Sequence, residues 1–351
     1  MTASAVQRDG GMGKGKSLAV SWMLVLAVAA CGSEGNGDVP PAEPATAPPP
    51  VVTDDRDPDG AMDPNAPSPD DDPSLPPSTQ SDLMKTFAPH LNLHPDDAYR
   101  PANVDWYLAR VTMRFHHDSN CPDHELLGLG KVTQQTLVVQ KHEDNKSLCQ
   151  HDGSKEVTST TSDLFFLEIQ NDATRKGSPK NEWKTYVVWR PKASGLVDIE
   201  YWFFYPWNDG FSLFNHPSDW EHVRVTIDPK ANDGKGKALE VKLSAHKGGT
   251  IAKADDARIT WDGTHVVSYV AKGTHANYLK PGTYDIEGTK GVAKDEAKAA
   301  ATADIWKTED TLVPIGTRAK PKNGQVFVKY WGRWGELGDL PETNGVTRHF
   351  P

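Results

Sequence analysis

The eight residues "EYWFFYPW", Glu200 to Trp207, constrain the fold more than any other stretch of this chain. In an extended strand successive side chains point to opposite faces. Tyr201, Phe203 and Tyr205 therefore share one face, and Trp202 and Phe204 share the other. Both faces are bulky and apolar. Such a run reads as a central strand covered on both sides, most of whose aromatics pack a core. Only Tyr205 and Trp207, near its end, are candidates to touch a ligand.

Further stretches rich in aromatic and β-branched residues read as strands: 106–115, 135–140, 163–170, 183–190, 198–207, 220–227, 238–246 and 265–273. Clusters of Gly, Asp, Asn and Pro punctuate them, as in "DPKANDGKG" (228–236). No alternation of strand and helix appears. The expected class is all-β, a β-sandwich with long loops and at most one or two short helices. One helix is predicted over 292–306, "VAKDEAKAAATADIW", from its alanines and charges.

The sandwich is expected over 81–351, because the chain before it does not look foldable. A basic "GKGKS" precedes the apolar run "LAVSWMLVLAVAAC", the pattern of a secretory signal over 1–30. Its end, "VAAC", has the small-small-Cys form of a bacterial lipoprotein processing site, with Cys31 as the lipidated residue; ordinary cleavage near Ala30 is the alternative. Residues 32–80 hold 13 of the 27 prolines and 11 acids against a single Arg56. That composition buries too little apolar surface to offset the entropy of ordering. Segment 31–80 is therefore expected to be a disordered acidic Pro-rich tether. The expected location is exported, as a bacterial membrane lipoprotein or at the cell surface, with the membrane engaged through the N-terminal lipid.

Net charge is −10, part of it in the tether, and no strongly basic field remains to attract nucleic acid. Of three cysteines, Cys121 and Cys149 remain after Cys31. An exported chain favours a disulfide between them; a metal pair with His124 or His151 is the rival reading.

The chemistry concentrates in "NDGFSLFNHPSDWEHVRV", Asn208 to Val225. His216, Asp219 and Glu221 fall within six residues. Strand parity puts Asp219 and Glu221 on one face with Val223, Val225 and Ile227. Two carboxylates at the rim of a core face are costly unless compensated, and a cation compensates them. One imidazole with several oxygens suits Mg²⁺, Ca²⁺ or Mn²⁺ better than Zn²⁺. The competing reading is a solvated acidic turn, with Glu221 paired to Arg224 or a lysine.

The stretches "FAPHLNLHPDDAYRPANVDWYL" (87–108), "EYWFFYPWNDG" (200–210), "NHPSDWEHVRV" (215–225), "VVSYVAKGTHANY" (266–278) and "WGRWGELGD" (331–339) resemble the vacuolar protein sorting-associated protein 62 family. A more distant likeness is to the necrosis- and ethylene-inducing-like secreted proteins, whose Tyr-Phe-Pro strand end is followed by Gly-His-Arg-His-Asp-Trp-Glu. That likeness implies a β-sandwich with a divalent cation in a cavity used against membrane sphingolipid glycans. Its ligands would fall on Asp209 or Asn208, His216, Asp219 and Glu221. Asn215, Pro217 and Ser218 depart from the heptapeptide, so the implied metal set persists while its sugar-facing flanks do not.

His275, in "KGTHANY", either completes a pocket beside the cation, acts as a general acid or base, or caps local backbone; Tyr278 follows it as a candidate ligand contact. His94, Asp96 and Asp97 in "HLNLHPDDAY" are explained adequately by a strand and an Asx turn. No Gly-x-Ser-x-Gly elbow, His-Glu-x-x-His motif or phosphate loop is present. The functional expectation is a surface-tethered, cation-dependent binder of a glycan or lipid head group. The alternatives are a metal-dependent hydrolase using His275 and Asp219, and a membrane-damaging secreted effector.

Overall fold

The computed structural model describes residues 75–117, 121–142, 155–159, 164–210, 214–246, 248–286, 289, 291–338, 344–348 and 350. The expected signal, Cys31, nearly all of the expected tether and Cys149 lie outside these. All described residues belong to one compact unit, Pro50–Pro351.

The strands in chain order are β1 (His90–Asn92), β2 (Val111–Phe115), β3 (His124–Leu127), β4 (Lys141–His142), β5 (Lys155–Glu156), β6 (Phe165–Ile169), β7 (Thr185–Pro191), β8 (Val197–Asn208) and β9 (His216–Asp228). There follow β10 (Lys237–Ala245), β11 (Gly248–Lys253), β12 (Thr260–Asp262), β13 (His265–Val270), β14 (Asn277–Tyr278), β15 (Gly282–Asp285), β16 (Lys294–Ala297), β17 (Ile305–Lys307) and β18 (Leu312–Pro314). Among the described residues four short α-helices interrupt them, more than the one or two expected: α1 (Pro77–Thr86), α2 (Val104–Leu108), α3 (Gln134–Leu137) and α4 (Asp172–Arg175). None is long and apolar enough to cross a membrane. Helix α1 begins inside the expected tether, and Gln80 is already buried there.

The central sheet runs β11-β10-β9-β8-β7-β18. It is antiparallel except for the β18–β7 edge. Its two faces carry separate cores. On one, Tyr201, Phe203, Tyr205, Val223, Val225 and Ile227 pack with Leu91, Val266, Val270 and Trp306. Those partners come from the second sheet, β12-β13-β1-β17 with β14 beside β13. On the other face, Trp202, Phe204 and Trp220 pack with Val111, Met113, Phe115, Phe165 and Leu167 of the β3-β2-β6 sheet, and with Phe327, Tyr330 and Trp334. The all-β sandwich is thus three layers deep around β8 and β9, and the alternation expected for "EYWFFYPW" holds residue by residue.

Three local expectations fail. The 292–306 segment is not a helix: it forms β16, a 3-10 turn (Thr302–Asp304) and β17. Exposure alternates along β16, with Asp295 and Ala297 in and Lys294 and Glu296 out. Pairing with β15 and three hydrogen bonds to the buried Asp295 carboxylate outweigh alanine propensity, which is worth well under about 1 kcal/mol per residue. Residues 106–108 belong to α2, started by the Asn103 side chain accepting from the Trp106 N–H (2.7 Å). Residues 135–137 belong to α3, held by a Thr133–Thr136 capping box.

Candidate functional site

The β8–β9 register sets the site. Tyr205 lies opposite Asp219, Phe203 opposite Glu221, and Asn208 opposite His216. The Asn208 side chain is buried and donates to the Phe214 carbonyl (2.8 Å), closing the hairpin loop. Asp209 is exposed; its N–H donates to the Gly273 carbonyl (2.8 Å), and its charge raises the pKa of nearby Tyr99, after the larger effect of burial. Asn208 is therefore a loop brace, and Asp209 is the upstream acid with a free approach from solvent.

Asp219 and Glu221 are only 8% and 6% exposed, so this is not a solvated acidic turn. Glu221 does not pair with Arg224, which bonds Glu240 instead (3.1 Å). Its own partner is the Ser244 hydroxyl. Burial, and then the neighbouring Asp219 charge, push the Glu221 pKa well up. Proton counting agrees. Ser244 Oγ accepts from the His222 N–H (2.8 Å) and also lies 2.9 Å from the His222 carbonyl. One hydroxyl hydrogen cannot serve both that carbonyl and Glu221. A protonated Glu221 resolves this by donating to Ser244, which donates onward to His222.

His275 is fully buried and stacks on Tyr205, with ring centroids 3.8 Å apart and planes 8° apart. Its Nδ1 lies 3.0 Å from Asp219 Oδ2, and its Nε2 lies 3.7 Å from Asp97 Oδ2 without a hydrogen bond. The turn carrying it is forced. His275 sits at φ 56°, and Gly273 at φ 77° lies so close to Asp209 that a Cβ there would come 2.4 Å from its carbonyl oxygen. Asp97 ties the turn down by accepting from the Gly273 N–H (2.9 Å), while its other oxygen accepts from the Tyr99 N–H (2.9 Å), the expected Asx turn. His216 is half-buried, with Nδ1 2.9 Å from the Ser218 carbonyl, and burial lowers its pKa against the opposing pull of Asp219.

Of the expected ligand contacts, Tyr205 is buried as the platform for His275. Trp207 is half-buried, with the Arg175 guanidinium 4.1 Å from its ring centre. Tyr278 donates to Asp295 (2.6 Å) and stacks on Tyr284. Asp97, Ser244 and Asp295 complete the polar surroundings; the "HPDDAY" motif signalled the first, and nothing local signalled the others. Among the described residues, the groups whose ligand atoms all lie within 4.8 Å of one another are His117–Cys121–His124 and His90–His265–Glu309. The Asp219 site is drawn less tightly.

These features define an all-β protein with a buried acid pair and histidine at the end of its central hairpin. The chain belongs to the vacuolar protein sorting-associated protein 62 family, whose model matches residues 131–337. It is similar to "Vacuolar protein sorting-associated protein 62" of Saccharomyces cerevisiae, 25% identical over 56% of this chain and 45% of that one. The chain spans about half the length of the curated relatives it matches. Among solved structures it is similar to "Toxin fold as basis for microbial attack and plant defense" (TM-score 0.37, 13% identity, 77% of this chain and 86% of that one). Another is "Necrosis and Ethylene inducing Protein 2 from the causal agent of cocoa's Witches Broom disease" (TM-score 0.28, 16% identity, 56% and 67%). Likeness at that level says nothing of what this chain binds.

Proposed function

We propose that the chain binds a glycan or lipid head group through a divalent cation held at the end of the β8–β9 hairpin. The observation that carries this reading is the pair of buried carboxylates, Asp219 and Glu221, beside a buried imidazole. Two buried acids on one face of β9 fit a cation, whose charge offsets the burial and mutual repulsion that raise the Glu221 pKa.

Asp219 and Glu221 would hold the ion, with His216 and Asp209 reaching it from the rim. The oxygen-rich set favours Mg²⁺, Ca²⁺ or Mn²⁺. When bound, the ion supplies a charge that grips hydroxyl or phosphate oxygens. His275, stacked on Tyr205, orients Asp219. Half-exposed Tyr99 and Trp207 offer aromatic surface beside the site. Because His275 is wholly buried, it suits positioning better than proton exchange with a substrate, which favours binding over hydrolysis. The Cys31 lipid and the acidic tether would keep the site near a membrane surface.

The test is binding to a glycan panel and to liposomes of defined head group, with Ca²⁺ or Mn²⁺ and then with chelator. Binding should be chelator-reversible and lost in Asp219→Asn. Binding that survives both chelator and this variant overturns the reading. Chelator-sensitive turnover of phosphoesters or glycosides would favour the hydrolase, and dye release from the same liposomes the membrane-damaging effector.

A further inference from the structure

A second cluster lies away from the β8–β9 hairpin, in the small sheets. His117 follows β2, His124 opens β3, and His142 closes β4. His117 Nε2 is 3.3 Å from His124 Nδ1 and 3.2 Å from His142 Nε2. The three ring centroids form a near-equilateral triangle of 4.4, 5.0 and 5.1 Å. His117 and His142 are 5% and 7% exposed, and His142 stacks on the fully buried Phe115 at 4.1 Å.

Hydrogen bonding alone accounts poorly for this arrangement. A ring nitrogen carries either a hydrogen or a lone pair. His117 Nε2 can therefore meet both neighbours only as a shared acceptor or a shared donor. A cation among the rings replaces that poorly directed sharing, because all three nitrogens then present lone pairs. The two separations from His117 Nε2, 3.3 Å to His124 and 3.2 Å to His142, also match. Zn–N bonds of about 2.0–2.1 Å in a tetrahedron put ligand nitrogens about 3.3–3.4 Å apart.

We infer that His117, His124 and His142 form a transition-metal site, with Zn²⁺ as its ion. An all-imidazole set excludes the hard cations proposed for Asp219 and Glu221, and Cu²⁺ or Ni²⁺ would compete by the general affinity order. Cys121 Sγ lies 3.9 Å from His124 Nε2; the disulfide expected there would consume its thiol, so the ligand set is the three imidazoles. The role is structural. Strands β4 and β5 are two residues each, and a ladder that short does not hold by itself. An ion shared by His142 and the β2–β3 hairpin fastens it to the β3-β2-β6 sheet.

The test uses the full chain, stripped with chelator and titrated with Zn²⁺ alone, then with Co²⁺. One equivalent should bind, and Co²⁺ should give the intense visible bands of four-coordination. His117→Gln, His124→Gln and His142→Gln should each weaken Zn²⁺ at least tenfold, while Asp219→Asn leaves it unchanged. X-ray absorption on the unmodified, zinc-loaded protein guards against variants that fail to fold, and should show three imidazoles and no sulfur. A shell dominated by carboxylate oxygen, a sulfur ligand, or undiminished affinity in a folded His142→Gln variant would overturn the assignment.

Discussion

Ser218 allows the site's strain to be measured. It lies inside β9 at φ 60°, is fully buried, and its hydroxyl has no hydrogen-bond partner. The left-handed conformation costs a non-glycine residue about 1–2 kcal/mol. The unsatisfied hydroxyl costs about 1–3 kcal/mol on protein mutational scales. Ser218→Gly removes both but gains about 0.4–1 kcal/mol of unfolded-chain freedom. The net expectation is stabilisation of about 1–5 kcal/mol, or roughly 2–10 °C in Tm at about 2 °C per kcal/mol for a domain of this size. Ser218→Ala separates the two effects, because it relieves the hydroxyl and keeps the backbone strain; it should gain about 1–3 kcal/mol, less than Ser218→Gly. The assay is urea and thermal unfolding of the cation-free protein. Ser218→Gly should also leave cation binding intact, since the kink directs a backbone carbonyl, not the hydroxyl, at His216. A fall in stability for Ser218→Gly, or Ser218→Ala matching or exceeding it, would refute this reasoning.

Three further predictions follow from the same geometry. Gly273→Ala meets both an unfavourable φ and the Asp209 carbonyl; it should destabilise by at least about 2 kcal/mol and abolish cation binding, as read by melting with and without Mn²⁺. Because the Glu221 pKa is raised in the fold from its ordinary 4.5, the native state binds the extra proton. Its contribution is complete below that ordinary range and is lost as pH rises through the raised value, so with chelator present the wild type should lose stability relative to Glu221→Gln as pH increases. Cys31→Ser should abolish incorporation of labelled lipid and release the protein from the membrane fraction; unchanged partitioning would count against the anchor.

The sequence disclosed the site's strand parity because "EYWFFYPW" and "HVRVTI" must each bury alternate residues, which fixes where Asp219 and Glu221 point. It did not disclose Ser244 or Asp295, which arrive from β10 and β16 through long-range pairing. Alanine content pointed to a helix at 292–306, and only the β15 partner and the buried Asp295 reverse that preference. The aromatic stretch at 106–108 looked like strand until the Asn103 cap is considered. The imidazole cluster was hidden by spacings of seven and eighteen residues between its histidines, which match no compact motif and meet only when β2, β3 and β4 assemble.

The most direct test of the central claim is anomalous diffraction from crystals soaked in Mn²⁺ above neutral pH. The account predicts a peak within about 2.5 Å of carboxylate oxygens of both Asp219 and Glu221, absent from Asp219→Asn crystals. Mn²⁺ bound elsewhere, with neither carboxylate in its coordination shell, would contradict it.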